Sequence, residues 1–132
     1  MSWVGRKTLP VVLQTEATEC GLACLVMIAR YHGHDIDLNA LRKTASVSLK
    51  GASLKQVMQT AGRLYLSSRP LRVELEQIHK IQTPAILHWD LNHFIVLKKV
   101  VGNKVYFIDP GRGLRVMALE KCLIIFLAWR WN

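Results

Sequence analysis

The chain has 132 residues, 51% of them hydrophobic and 20% charged, with a formal net charge of +9. The length is that of one ordinary domain, and the composition excludes an intrinsically disordered chain because it supplies the apolar residues that a core needs. The positive charge suggests an acidic partner, such as a membrane surface, a nucleic acid or an acidic peptide, but the absence of runs of like charge favours a solvated basic surface. Nucleic acid is not expected as the partner, because the basic residues are scattered and no known binding motif is present.

No segment predicts a membrane span. The apolar runs Leu22 to Ala29 and Cys122 to Trp129 are well below the roughly 20 residues that a spanning helix needs, and the N-terminal apolar stretch is too short for a signal peptide. Three cysteines in a chain of this size favour free thiols in a reducing compartment over a disulfide framework. We therefore predict one soluble domain over residues 1–132, alone or as part of a larger protein.

Three helices are predicted in the first half of the chain, from apolar residues at helical spacing behind capping residues. Their expected positions, each with its cap, are Cys20 to Tyr31 (Thr18 or Glu19), Leu38 to Leu41 (Asp37) and Leu54 to Ala61 (Ser53). Gly33 follows the first helix, where a C-terminal stop is expected.

The second half of the chain predicts strands. In chain order we expect an edge strand Leu71 to Val73, a helical turn Leu75 to Ile78, and strands Ala85 to Trp89, His93 to Val101, Lys104 to Ile108 and Leu114 to Leu119. Helices followed by an antiparallel meander predict an α+β domain. The tail Glu120 to Asn132 is compatible with a last strand or with an amphipathic lead into membrane helices.

Cys20, His93 and Asp109 form the most informative constellation. Cys20 begins the best helix, where free N–H groups and the helix dipole favour a thiolate. His93 opens one strand and Asp109 closes the next, so the sheet offers a base and a group that orients it. This chain order is that of papain-like cysteine hydrolases. From the residues alone, the alternatives are a core cysteine, as expected for Cys24, a partly buried histidine and a common Asp-Pro-Gly turn.

The constellation makes a demand on the hairpin between the two strands. A strict two-residue turn at Gly102-Asn103 would place His93 and Asp109 on opposite faces of the sheet, because side chains alternate along a strand. The triad therefore predicts either a loop with an odd number of residues or a β-bulge. Asp109 would then lie near residue 93 or 95 on the same face.

A metal site is the weaker interpretation of the same region. His88, Asp90 and His93 are close in sequence and Cys20 is a conceivable fourth ligand. Their spacing is not a standard zinc pattern, and no Cys-x₂-Cys pair is present. We expect no metal and no cofactor.

Four ordered motifs resemble one family, over Leu9 to Leu119. They are Gln14-x₅-Cys20-Gly21-x-Ala23-Cys24-Leu25-x-Met27-Ile28 with Tyr31-x-Gly33, Gly51-Ala52-Ser53-Leu54, Pro84 to Trp89 followed by Asn92 to Leu97, and Ile108-Asp109-Pro110-x-x-Gly113. The family is the papain-like cysteine peptidase domain of bacteriocin-exporting ABC transporters, and the resemblance is closest to the colicin V type. Such domains remove leader peptides after a double glycine.

The resemblance implies a role for each matching residue. Cys20 is expected to be the nucleophile, His93 the general base and then acid, and Asp109 the group that orients His93. Gln14 matches the oxyanion-hole glutamine, although alone it would be taken for a solvated polar residue. A groove narrow enough to select glycine would have His88 and Trp89 as walls, and Trp89 is equally expected in the core.

The resemblance also implies partners and a location. The partners are the leader of a precursor peptide, the transmembrane and ATP-binding parts of an ABC exporter, and the inner-membrane surface, which places the domain at the cytoplasmic face of the bacterial inner membrane. A substrate-docking domain without catalysis, as in exporters of large toxins, is the main alternative. A cell-wall amidase is another papain-like possibility, but such enzymes are secreted and no export signal is seen.

Overall fold

The computed structural model describes the chain except residues 1–7, 15–18, 45–52, 67, 69, 74, 90–92, 120–125 and 130–132; at 44, 71–73, 75, 89 and 126–129 it describes the backbone alone. Its elements are α1 (Cys20–Tyr31), α2 (Leu38–Thr44), α3 (Leu54–Arg63), β1 (Pro70–Val73), a 3-10 helix (Leu75–Lys80), β2 (Ala85–Trp89), β3 (His93–Val101), β4 (Lys104–Asp109), β5 (Gly113–Ala118) and β6 (Phe126–Trp129). The predicted α+β class is confirmed. Among the described residues, no helix combines the length and the apolarity needed to cross a membrane.

The helix starts show which predicted caps form. Ser53 and Gln56 make a reciprocal capping box at α3, and the Asp37 carboxylate accepts a 2.7 Å bond from the Ala40 N–H at the start of α2. Glu19 occupies the N-cap position of α1, but its side chain makes no capping bond. The predicted N-cap position of Glu19 is therefore confirmed, although its side chain does not cap the helix, and Thr18 lies outside the described residues.

All strand pairings in the six-stranded sheet are antiparallel, and the strand order is β1-β6-β2-β3-β4-β5. The predicted meander from β2 to β5 is confirmed, and β1 is an edge strand as predicted. The part of the tail that the structure describes forms β6, which lies between β1 and β2. At this edge of the sheet, strands that are distant in the sequence pair with each other.

The sheet carries a separate core on each face. On one face α1 packs against Phe94, Val96 and Ile108, with α2 and α3 beside it, and every residue from Cys20 to Ala29 is buried. On the other face, Ile78 of the 3-10 helix packs against a cluster that consists of Leu87, Ile95, Leu97, Val105 and Phe107. Burial on all sides explains why α1 is apolar around its whole circumference.

Candidate active site

A β-bulge in β3 sets the geometry of the site. Near the turn, Val101 pairs with Lys104, as a two-residue loop requires, but beyond the irregularity between Leu97 and Lys99 the partner of Leu97 is Phe107. The one extra residue shifts the register by one and places Asp109 opposite Ile95, on the face that His93 shares. The sequence expectation of an odd loop or a bulge is confirmed in its second form.

Asp109 is held at the end of β4 by two donors. The Nε2–H of His93 donates to the Asp109 Oδ1 over 3.0 Å, and the backbone N–H of Gly111 donates to the same oxygen over 2.9 Å. The bond from Gly111 closes an Asx turn, which the Asp-Pro-Gly sequence favours. The carboxylate therefore has a fixed position from which it orients the imidazole.

Cys20 meets the imidazole from the helical side of the molecule. Its side chain is hydrogen-bonded to His93, and this bond is the largest cause of a raised pKa of His93. Partial burial lowers the pKa of His93, whereas the negative charge of Asp109 raises it. Because Asp109 occupies Nε2, Nδ1 is the ring nitrogen left for Cys20. The structure thus brings together the thiol, the imidazole and the carboxylate that the sequence singled out.

Cys24 differs from Cys20 although it lies one helical turn away. It is completely buried, and burial raises the pKa of its thiol well above the usual value, with the negative charges of Cys20 and Asp109 acting in the same direction. Such an environment keeps the thiol protonated and inert. Cys20 and Cys24 are not joined in a disulfide. The expected core position of Cys24 is confirmed.

Gln14 lies at the same turn as Asp109. Its backbone N–H donates to the carbonyl of Pro110 over 2.9 Å. Its buried side-chain oxygen is 3.9 Å from the point where a β-carbon on Gly111 would stand, and the Asp109 Oδ1 is 3.4 Å from that point. The segment before α1 is therefore tied to the turn after β4, with the Gln14 carboxamide beside the triad.

Of the two predicted groove walls, His88 has a described side chain and Trp89 has a described backbone only. The His88 ring stacks on Phe94, with centroids 4.5 Å apart and planes 8° apart. Phe94 in turn lies against Gly21, the residue after Cys20. Trp89 pairs with His93 through the backbone, and its side chain lies outside the described part of the structure. Contact of either residue with a substrate stays a prediction.

A cavity of about 200 Å³ adjoins the imidazole and the carboxylate. It is lined by His93, Ile95, Phe107, Asp109, Arg112, Arg115, Val116 and Met117. Apolar side chains and two guanidinium groups thus share one space next to the site. In the ranges that the structure describes, no group of three or more His, Cys, Asp and Glu side chains is placed to hold a metal ion. Asp90, a member of the metal alternative, lies outside those ranges.

Sequence reasoning missed two features at the start of α1. Glu19, considered only as a cap, pairs its carboxylate with Arg42 of α2. Gly21 leaves room for Val57 and Phe94, since a β-carbon there would stand 2.9 Å from the Val57 Cγ2. The available signals were an acidic residue directly before the cysteine and a glycine inside an otherwise apolar helix, and neither identifies its partner.

Comparison with known proteins gives consistent matches over almost the whole chain. Residues 8–126 match the model of the Peptidase C39 family. The colicin V secretion/processing ATP-binding protein CvaB of Escherichia coli is 42% identical over 116 residues, which are 88% of this chain and 17% of that protein. The probable microcin-H47 secretion/processing ATP-binding protein MchF of Escherichia coli is 42% identical over 121 residues, or 92% of this chain and 17% of that protein. The chain thus spans about a sixth of the length of these relatives.

Solved structures give the same result for the fold. A double glycine motif protease from an AMS/PCAT transporter, crystallised with the leader peptide, superposes with a TM-score of 0.87 at 32% identity, covering 98% of this chain and 94% of that one. The peptidase domain of Streptococcus ComA superposes with a TM-score of 0.84 at 21% identity, covering 95% and 98%. At that lower identity the second likeness concerns the fold alone.

Proposed function

The chain belongs to the Peptidase C39 family of cysteine peptidases, and from this premise we propose that it cleaves the leader of a bacteriocin- or microcin-type precursor peptide after a double glycine. The observation that carries the proposal is the row formed by the Cys20 side chain, the His93 ring and the Asp109 carboxylate. A nucleophile, a base and an orienting group in contact are the minimum that acyl transfer through sulfur requires.

In the proposed reaction, His93 takes the proton of the Cys20 thiol, and the sulfur attacks the carbonyl carbon of the second glycine. The C–N bond breaks as His93 gives the proton to the leaving amine, so that a thioester joins the leader to Cys20. Water then attacks the thioester and passes a proton to His93. The C–S bond breaks, the leader leaves with a carboxyl group, and the sulfur regains its proton.

Gln14 is the proposed side-chain donor to the negative oxygen of the tetrahedral intermediate. Its place beside the turn that carries Asp109 supports this role, because the donor must lie within reach of the attacked carbonyl. The backbone N–H of Cys20, at the start of α1, is the proposed second donor, since the first N–H groups of a helix have no partner within the helix.

Selection of glycine is proposed to come from narrow space near the sulfur. His88 and Trp89 belong to the strand that pairs with the start of β3, which supports a place for them at the rim of the groove. The rest of the leader would extend over an apolar surface, as amphipathic helices do when they dock. No cofactor takes part in the proposed reaction.

The wider setting is also a proposal. We take residues 1–132 as one peptidase domain that works with the transmembrane and ATP-binding parts of an ABC exporter, at the cytoplasmic face of the bacterial inner membrane. The family match and the likeness to two secretion/processing proteins support this setting. The basic surface would suit an anionic inner leaflet.

The test uses a synthetic precursor with a Gly-Gly junction and a matched peptide with Ala-Ala there. The protein is expected to cut only the first peptide, directly after the second glycine, and Cys20→Ala is expected to abolish cleavage. Cys24→Ala is the matched control, because it removes a buried thiol one turn away and should leave the cleavage rate within about threefold. Mass spectrometry of the products locates the cut.

Two results would contradict the proposal. Cleavage that persists in Cys20→Ala would remove this sulfur from the reaction. Binding of the precursor without cleavage by the unmodified protein would favour the alternative, a substrate-docking domain of a toxin exporter.

A further inference from the structure

A half-buried ion pair involves the residue that directly precedes Cys20. The Glu19 side chain is 5% exposed, and its carboxylate is paired with the Nε of Arg42 on α2. The guanidinium is oriented in turn by Asn39, whose side-chain oxygen accepts a 2.9 Å bond from the Arg42 Nη1. The pair therefore joins the first turn of α1 to α2 through a planar group with a fixed direction.

The position of Glu19 calls for a function other than capping. A carboxylate at an N-cap usually accepts a bond from a helix N–H, but this side chain does not. Burying a carboxylate without a counterion is strongly unfavourable. Replacing the pair by apolar residues is often neutral or stabilising, so stability alone is a weak reason for an ion pair here.

Glu19 directly precedes Cys20, so its carboxylate belongs to the residue next to the one that carries the sulfur. The N-terminus of α1 favours a negative sulfur, whereas a carboxylate one residue away opposes it. Arg42 brings a positive charge that cancels this opposition. Within the described part of the chain, titratable groups near the sulfur include His93 and Asp109 from the sheet and Cys24 from α1.

The pair also restrains the backbone that carries the sulfur. The Glu19 carbonyl accepts the Ala23 N–H bond, which is 2.9 Å long and belongs to the first turn of α1. Leu38 and Leu41 of α2 are buried in the same core as α1. A link between Glu19 and Arg42 thus fixes the start of α1 against a packed helix.

We propose that Glu19 and Arg42 are a positioning pair for Cys20, in which Arg42 fixes the first turn of α1 and neutralises the carboxylate beside the sulfur. The proposal builds on the proposed role of Cys20 as nucleophile. Its main readout is alkylation of Cys20, which needs no substrate and so separates failure of this inference from failure of the proposed peptidase activity.

The experiment measures the rate at which iodoacetamide alkylates Cys20 between pH 5 and pH 10, using mass spectrometry of the peptide that contains Cys20. The midpoint of the profile reports the coupled Cys20–His93 pair. Arg42→Gln should raise the midpoint by about one pH unit, since it removes the cation that is paired with the buried Glu19 carboxylate. Glu19→Gln should lower the midpoint, and by less, because the Arg42 side chain that remains is 40% exposed.

Three further variants complete the design. The double variant Glu19→Gln/Arg42→Gln should return the midpoint to within about 0.3 units of the wild type, because both charges are gone. Arg42→Lys should stay near the wild-type midpoint but lower the cleavage rate, since it keeps the charge and loses the planar fork. Lys43→Gln is the matched control on the exposed face of α2 and should change neither quantity.

Midpoints that do not move, or that move in the same direction in the two single variants, would overturn the inference. A double variant that is displaced as far as Arg42→Gln would do the same. If Arg42→Gln does not fold, Glu19→Gln and the double variant still decide the question, because only the first is expected to differ from the wild type. If the midpoints shift as predicted but the wild type does not cleave the peptide, this inference stands and the peptidase proposal is refuted.

Discussion

Replacing Gly21 by alanine places a methyl carbon between α1, α3 and the sheet. The new carbon would stand 2.9 Å from the Cγ2 of Val57 and 3.3 Å from the Cδ2 of Phe94. Carbon atoms in good contact are about 3.5–4.0 Å apart, so these contacts must open by about 0.6–1 Å. Because Val57 and Phe94 are both packed in the core, α1 is expected to take up part of this movement. Because Cys20 precedes this glycine, the movement would carry the sulfur away from His93.

The expected effects on stability and on rate differ in size. Overpacking costs about 1–3 kcal/mol, and the better helix propensity of alanine returns up to about 1 kcal/mol, so the free energy of unfolding should fall by up to about 3 kcal/mol. A reacting group displaced by about 1 Å can cost about a hundredfold in rate. We therefore expect kcat/KM for a Gly-Gly leader peptide to fall about 10- to 100-fold in Gly21→Ala, with the protein still folded.

Urea unfolding and peptide cleavage measured on the same samples test this expectation. Gly62→Ala is the matched control in a helix, because a β-carbon there meets nothing within 4 Å; it should raise stability by up to about 1 kcal/mol and leave the rate unchanged. Val57→Ala in the Gly21→Ala background removes the contacting methyl and should recover part of the rate. A wild-type rate in Gly21→Ala, or no recovery in the double variant, would refute the steric reasoning.

Two further predictions concern the site itself. The pKa of His93 is raised, so its contribution to the free energy of unfolding is complete below its unfolded pKa of about 6.5 and is lost as pH rises through the folded value. Urea unfolding between pH 5.5 and pH 9 should therefore show a loss of stability with rising pH in the wild type. The loss should be smaller in Asp109→Asn, smaller still in Cys20→Ser, and absent in His93→Gln. Equal slopes of the free energy of unfolding against pH in all four proteins would contradict this prediction. Gln14→Ala should lower kcat about 10²- to 10³-fold while alkylation of Cys20 stays unchanged, and a rate within threefold of the wild type would exclude the oxyanion role.

Local patterns were sufficient where a feature depends on neighbours in the sequence. The limits of α1, the capping box at Ser53 and the meander from β2 to β5 follow from spacing, caps and turn residues. The bulge in β3 was also predictable, but only after a function was assumed, because nothing local marks Lys98 as the extra residue. The demand that His93 and Asp109 share a face supplied the missing information.

Features that join distant parts of the chain were not predictable from one sequence. Glu19 satisfies the pattern of a cap, and its preference for Arg42 depends on how α2 packs, 23 residues later. The position of β6 between β1 and β2 depends on pairing between segments that are far apart in the chain. Hydrophobic periodicity does not encode such pairing. The close approach of Val57 to Gly21 is a packing detail of the same kind.

Because β3 contains one extra residue, the contact between His93 and Asp109 depends on whether the number of residues between them is odd or even. One residue added or removed in that hairpin, with pairing re-formed, turns the histidine and the aspartate to opposite sides of the sheet, whereas two residues restore them. Variants that retain the triad should therefore differ in length along this stretch in steps of two. An insertion as small as one residue, far from the sulfur, would be enough to separate the imidazole from the carboxylate.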